Sequence, residues 1–226
     1  MIMKKLLITI DGPAGAGKTT VSRALARRLG YRYIDTGALY RGVAYEILNQ
    51  GVDPENEAEL ADLCHRLQLS FKIADEALRL YSGERDISDR IRTPEISMLA
   101  SSISAKSIVR RCLLKVQRDM GLQKAAVFEG RDMGTVVFPE ADVKFFLDAS
   151  LTVRARRRYQ ELEGETRQPL NKVEQDIRRR DTNDSTRSLA PLKPADDAIV
   201  IDSTQRSVQE VVDLMLLRIQ EEARRQ

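Results

Sequence analysis

Five short apolar runs punctuate the chain: Leu6–Ile10, Tyr31–Ile34, Ala125–Phe128, Val143–Leu147 and Ala198–Ile201. Between them apolar residues return every three or four positions, as Val21, Leu25 and Leu29 do ahead of Gly30. Short apolar runs bounded by turn residues read as strands, and the three-to-four spacing reads as helices laid against them. Their alternation predicts an α/β fold: a five-stranded parallel sheet with helices on both faces. Gly30 is placed to end the first helix. Two stretches depart from the alternation. Leu69–Ile73, Leu78–Tyr81 and Arg85–Ser88, with Gly83 in a turn, read as a small antiparallel β insertion. Arg154–Arg187 is crowded with charge and poor in apolar anchors, which predicts helices projecting from the core as a mobile lid. Ser207–Arg224 sets Val208, Val211, Val212, Met215 and Ile219 on one face, a closing amphipathic helix.

Composition narrows the classes. Lys and Arg number 37 against 34 Asp and Glu, a net charge of +3, too balanced for a non-specific nucleic-acid coat. Hydrophobic residues at 42% and charged residues at 31% exclude a disordered or collagen-like chain. With five Phe, six Tyr and no Trp, the core is expected to be aliphatic. Two cysteines, Cys64 and Cys112, and the single His65 supply neither a disulfide framework nor a zinc site and read as structural. Lys4 and Lys5 precede the first apolar run, but five apolar residues are too few for a signal-peptide core or a membrane span. The expectation is a cytoplasmic, reduced, soluble protein with no membrane partner.

The first strand runs straight into Gly12-Pro13-Ala14-Gly15-Ala16-Gly17-Lys18-Thr19, which matches G-x-x-x-x-G-K-[ST]. Glycines let successive N–H groups curl inward onto phosphate oxygens, and the next helix adds its positive end. Lys18 brings a mobile charge to the β- and γ-phosphates. A chance Gly/Ala-rich turn is the bland alternative, but the complete pattern sits between a strand and a helix, where its mechanism requires it. No D-x-x-G occurs, and Asn171-Lys172-Val173-Glu174 only approximates a guanine reader, from within a charged helical stretch. Both observations count against a regulatory GTPase.

Three blocks together resemble one family. They are Asp11–Thr20, Asp35-Thr36-Gly37-Ala38-Leu39-Tyr40-Arg41, and Glu129-Gly130-Arg131-Asp132-Met133-Gly134-Thr135-Val136-Val137-Phe138-Pro139. The chain is similar to the bacterial cytidylate (CMP) kinases, which are nucleoside monophosphate kinases. The likeness continues through Phe146–Ser150, Ala190-Pro191-Leu192 and Ile201–Thr204, nearly the whole chain. The resemblance implies a P-loop core of residues 1–35, 120–150 and 190–226, a CMP-binding domain of 36–119 carrying the β insertion, and a lid of 151–189. It implies transfer of a phosphoryl group from ATP to CMP or dCMP, with Mg²⁺ as cofactor, by a monomer with no nucleic-acid partner.

The resemblance also implies site roles. ATP falls to Gly12, Pro13, Ala14, Gly15, Ala16, Gly17, Lys18, Thr19 and Thr20, with Arg154 and Arg158 contacting adenine and phosphate, and Arg156 and Arg157 as alternatives on the same helix. Thr36, Arg41, Ser101, Arg110, Arg131, Asp132, Arg180, Asp184 and Arg187 fall to CMP, and Lys18, Arg131 and Arg180 to the transfer. Thr19, Thr20 or Glu129 stands near Mg²⁺, directly or through water, and Asp35 orders the loop after the second strand. Elementary chemistry agrees, since phosphoryl transfer needs converging positive charge more than acid–base groups. Taken singly, Arg41, Arg110 and Ser101 read as ordinary surface polarity, and Arg178-Arg179-Arg180-Asp181 as a solvated helix. The rivals are another monophosphate kinase, for UMP, AMP or dTMP, and a non-catalytic nucleotide-binding switch. Lys18→Ala is expected to abolish transfer and leave the fold intact, scored separately by ADP release and thermal melting. Near-normal turnover in a folded variant would remove the loop from the mechanism.

Overall fold

The computed structural model describes residues 5–74, 77–162 and 168–225. Lys4 and positions 163–167 of the expected lid lie outside the described residues. The first half of the chain forms β1 (Leu7–Asp11), α1 (Lys18–Leu29), β2 (Arg32–Asp35), α2 (Thr36–Gln50), α3 (Glu57–Arg66), β3 (Leu69–Ala74), β4 (Ala77–Ser82) and β5 (Arg85–Asp86). It continues through α4 (Pro94–Ile103), α5 (Ser107–Gly121), β6 (Ala126–Glu129), β7 (Val143–Asp148), α6 (Leu151–Glu161), α7 (Leu170–Thr186), β8 (Ile199–Asp202) and α8 (Val208–Arg225).

β2, β6, β1, β7 and β8 lie in that order in one sheet, and every pairing is parallel. β3, β4 and β5 form the separate antiparallel insertion. Each of the five apolar runs becomes a strand shifted or extended by one residue, so that all five strands end on an acid: Asp11, Asp35, Glu129, Asp148 and Asp202. The chain builds β2 and β6 on one side of β1, then crosses to β7 and β8 on the other. Such a switch opens a crevice at the carboxyl ends of the strands, which here is the acidic edge.

Strand alternation divides the core. Ile8 and Ile10 face Val21 and Leu25 of α1 and Val211, Val212 and Met215 of α8. Leu7, Ile34 and Phe128 face Val137 and Phe138, with Leu114 and Met120 of α5 against them. A second core under α2–α5 is built on Leu39, Val43, Ile47, Leu60, Leu63 and Ile103, and Leu80 of the β insertion plugs into it. At roughly 1.5–3 kcal/mol for each large side chain fully buried, this supports the α2–α5 region by its own packing. Gly30 caps α1 in the left-handed conformation at φ 67°, as expected.

The charged stretch does not project on bare, repelling arginines. α6 and α7 bury Ala155, Leu162, Val173 and Ile177 against one another, and α7 packs on α4. Its arginines are interleaved with Asp181 and Asp184, which ion-pair with Arg154 and Arg131. Opposite charge on the same helices supplies the cohesion that a count of basic residues hides. Lys18 likewise is buried, with its ammonium donating to the Pro13 carbonyl at 2.7 Å.

Gly12 shows how tightly the loop is set. Its φ is +147°, and a Cβ there would lie 2.0 Å from the Leu147 carbonyl oxygen of β7. Gly12→Ala is expected to cost about 3 kcal/mol or more. A drop in the thermal melt, accompanied by loss of ATP binding, checks it; wild-type melting would show that the strand edge can yield.

Candidate active site

Above the acidic edge lies a cleft of about 600 Å³. One wall is the loop Gly12–Gly17 and the start of α1, the floor is the end of β6, and α2, α4 and α7 close the sides. A second cavity of about 590 Å³, between α2, α3 and the β4–β5 turn, gathers none of the motifs.

The loop is held from behind. Arg154 donates to the Ala14 carbonyl at 3.0 Å and to the Ala149 carbonyl at 2.8 Å, and it pairs with Asp181, which accepts the Ala14 N–H at 3.3 Å. Arg157 reaches the Ala16 carbonyl at 3.3 Å and the Ser203 carbonyl at 2.8 Å, and the Ser203 hydroxyl donates to the Ala16 carbonyl as well. With its outward carbonyls fixed by these donors, the loop is held in its curl. The structure therefore spends Arg154, one of the two arginines expected to meet ATP, on the back of the loop. Arg158 lines the cleft.

At the floor, Thr19 donates its hydroxyl to Glu129 Oε1 at 2.8 Å. Thr20 is exposed at the cleft rim. Burial and the neighbouring Asp35 push the Glu129 carboxyl up to about 7. Thr36 donates to the Glu129 carbonyl at 2.7 Å and ties α2 to the same strand end. Asp35 caps α2 through the Ala38 N–H at 3.0 Å and holds Arg41 at 2.7 Å. Burial would raise its carboxyl, but Arg41 and the Ala38 amide outweigh that and lower it. Asp11, the last residue of β1, accepts the Met133 and Gly134 amides at 2.9 and 2.8 Å. Burial carries it up to about 6 against the pull of those amides.

The remaining residues converge in pairs. Arg131 meets Asp184 at 3.0 Å, and the Ser101 hydroxyl donates to the same carboxylate at 3.0 Å. Asp132 is buried between Arg110, in direct ion contact, and Arg187 at 3.5 Å. Arg110 stands behind Asp132 and does not line the cleft. Arg187 also donates to the Ser104 hydroxyl at 2.7 Å. Positive charge nevertheless exceeds its partners. Burial, then Arg131 close by, holds Arg180 down to about 9, and the same two causes drive Lys18 well below its ordinary value. Arg41 Nε, Arg180 Nε and Arg187 Nη2 are buried with no hydrogen-bond partner among the described residues. Unsatisfied buried donors around a phosphate loop form a receptor for anionic oxygens.

Sequence reasoning passed over Asp181 as a site residue, together with Tyr40, Arg92 and Ser97 in the cleft wall. Tyr40 lies inside a recognised block; the rest carry no local signal, because only the approach of α4 and α6–α7 to the loop assigns them.

Fold and site together define a P-loop kinase, an enzyme that moves a phosphoryl group from a nucleoside triphosphate to a small acceptor. A gluconokinase from Sinorhizobium meliloti 1021 shares the fold with a TM-score of 0.52 at 14% identity, over 98% of this chain and 95% of its own. A shikimate kinase from Acinetobacter baumannii, solved in complex with shikimate, does so with a TM-score of 0.50 at 16% identity, over 97% and 95%. The family model for cytidylate kinase matches residues 8–221, and the chain belongs to that family. The cytidylate kinase of Geobacter sulfurreducens is 48% identical over 220 residues, covering 97% of this chain and 94% of that protein. That of Caldicellulosiruptor bescii is 42% identical over 215 residues, covering 95% of each. The chain is thus a nucleoside monophosphate kinase that uses ATP with a divalent metal. Among the described residues no helix is long and apolar enough to cross a membrane.

The buried Glu129 generates a stability prediction. Its carboxyl stands at about 7 in the fold against an ordinary 4.5, so ionising it opposes folding. That opposition is absent below about pH 4.5, grows up to about pH 7, and is constant above. Glu129→Gln is therefore expected to melt higher than wild type at pH 8, with the gap closing toward pH 4.5. A gap independent of pH would show that the carboxylate is not the cause.

Proposed function

We propose that this chain transfers the γ-phosphate of ATP to CMP, and to dCMP, by direct in-line attack of a monophosphate oxygen. The observation that carries this reading is Asp132, a buried carboxylate flanked by Arg110 and Arg187 in the same cleft as the phosphate loop. Cytosine offers an exocyclic amine for a carboxylate to accept, and O2 and N3 for a guanidinium to donate to. Uracil puts an oxygen where the amine was. Ser101 stands with Asp132 at the base site, Arg110 holds the Asp132 carboxylate through its ion pair, and Asp184 accepts from the ribose.

The loop amides and Lys18 hold the ATP phosphates; Thr36 and Arg41, with Arg187, hold the acceptor phosphate. Arg131 and Arg180 stand between the two and meet the charge that spreads over the transferring group. Arg158 contacts ATP from α6. The donor set fits Mg²⁺: the Thr19 or Thr20 hydroxyl and Glu129, through water, would hold it, and the described residues contain no cluster of three acidic or soft ligands suited to another metal. When bound, the ion neutralises β- and γ-oxygens of ATP. The lid excludes water, which keeps ATP from hydrolysis. On this reading the enzyme is a monomer acting on free nucleotides in the cytoplasm.

Asp132→Asn tests the base reading. The amide keeps the shape but presents a donor to uracil. A hydrogen bond to a charged group contributes about 1.5–3 kcal/mol, so the CMP/UMP ratio of kcat/KM is expected to narrow by roughly ten- to a hundredfold, with the KM for ATP little changed. An equal loss on both monophosphates would sink it. A wild-type preference for UMP, AMP or dTMP would replace CMP as the substrate.

A further inference from the structure

Asp132 stands immediately before a short helical turn, Met133–Val137, whose first amides have no acceptor within the turn. An aspartate in that position ordinarily folds its carboxylate back onto those amides. This one makes no such bond. Its place is taken by Asp11, which arrives from the end of β1 and accepts both the Met133 and the Gly134 N–H. The Asp132 carboxylate is left facing Arg110 and Arg187.

We infer that Asp11 is a specificity-positioning residue: by capping the Met133–Val137 turn in place of Asp132, it releases the Asp132 carboxylate to the monophosphate site. Asp11 touches neither substrate in this role and acts through Asp132. Gly12 and the phosphate loop follow it in the chain, but among the described residues its carboxylate bonds the Met133 and Gly134 amides, on the monophosphate side of the cleft. Without it, the freed amides compete with Arg110 and Arg187 for the Asp132 carboxylate, and the base site loses its acceptor for part of the time. The inference rests on the reading that Asp132 recognises cytosine.

The experiment compares Asp11→Asn, Asp11→Ser, Asp132→Asn and the double variant Asp11→Asn/Asp132→Asn. Each is scored for kcat/KM on CMP and on UMP, for the KM of ATP, and by thermal melting. Asparagine keeps one acceptor but turns an amide donor toward the second N–H, and serine satisfies at most one. Both Asp11 variants are expected to narrow the CMP/UMP ratio by roughly tenfold with the KM for ATP within about twofold, and the double variant is expected to show the ratio of Asp132→Asn alone. If Asp132→Asn alters the ratio while neither Asp11 variant does, the Asp11 inference is wrong and the base reading survives. Ratio effects that multiply in the double variant also overturn it, since Asp11 would then act by another route. An unaltered ratio in Asp132→Asn overturns the base reading itself. Loss of cooperative melting in both Asp11 variants would assign Asp11 to the fold and remove the specificity role.

Discussion

Packing like charge into a buried cleft is the constraint on which this structure turns. Burial removes the water that would screen the cations, and with it the nearby Arg131 holds the protonation of Lys18 and Arg180 down. The fold tolerates this through carboxylates placed among the cations: Asp184 beside Arg131, Asp132 between Arg110 and Arg187, Asp35 beside Arg41, Asp181 beside Arg154. The compensation is incomplete: among the described residues Arg41 Nε, Arg180 Nε and Arg187 Nη2 are buried without a hydrogen bond, though the last two lie 3.9 and 3.5 Å from Asp184 and Asp132. What remains is a receptor whose missing counter-charge is phosphate.

The acidic ends of the five parallel strands serve the same arrangement. Asp11 caps the turn after Asp132, Asp35 caps α2, Glu129 takes the Thr19 hydroxyl, and Asp202 accepts the Thr204 N–H. β1, β2 and β6 thus deliver the segments that line the cleft, and their terminal acids fasten the turns around it. The cost shows in Asp11 and Glu129, whose carboxyls burial has raised to about 6 and about 7. Stability at neutral pH is given up at the edge where chemistry is done, as expected of functional sites.

Much of this was legible in the chain. Strands buried on both faces write themselves as short apolar runs, so the sheet follows to within a residue, and the phosphate loop carries its own spacing. The block around Arg131 and Asp132 follows β6 into the cleft, as its place after an apolar run implies. The lid was misjudged in one respect: a row of arginines reads as self-repelling until Asp181 and Asp184 are seen to reach the loop and β6. The resemblance puts Arg154 at the nucleotide, while in the fold it donates to the Ala14 and Ala149 carbonyls behind the loop; nothing local in the chain distinguishes those two surroundings. Asp11 is the plainest case. Its partners lie 122 and 123 residues away, a distance no local pattern spans.

The central claim is that the cleft holds its cations at a cost that bound phosphate removes. Calorimetric titration with a bisubstrate dinucleotide, CMP joined to ATP through their phosphates, tests it in two buffers of different protonation enthalpy. The Glu129→Gln enzyme keeps that carboxyl silent. Burial and the neighbouring Arg131 hold the Lys18 ammonium well below its ordinary value, so binding at pH 8.5, at pH 7 or at both is predicted to draw protons from the buffer as anionic oxygens restore it. Binding with no proton exchange at either pH, or with proton release, would contradict it.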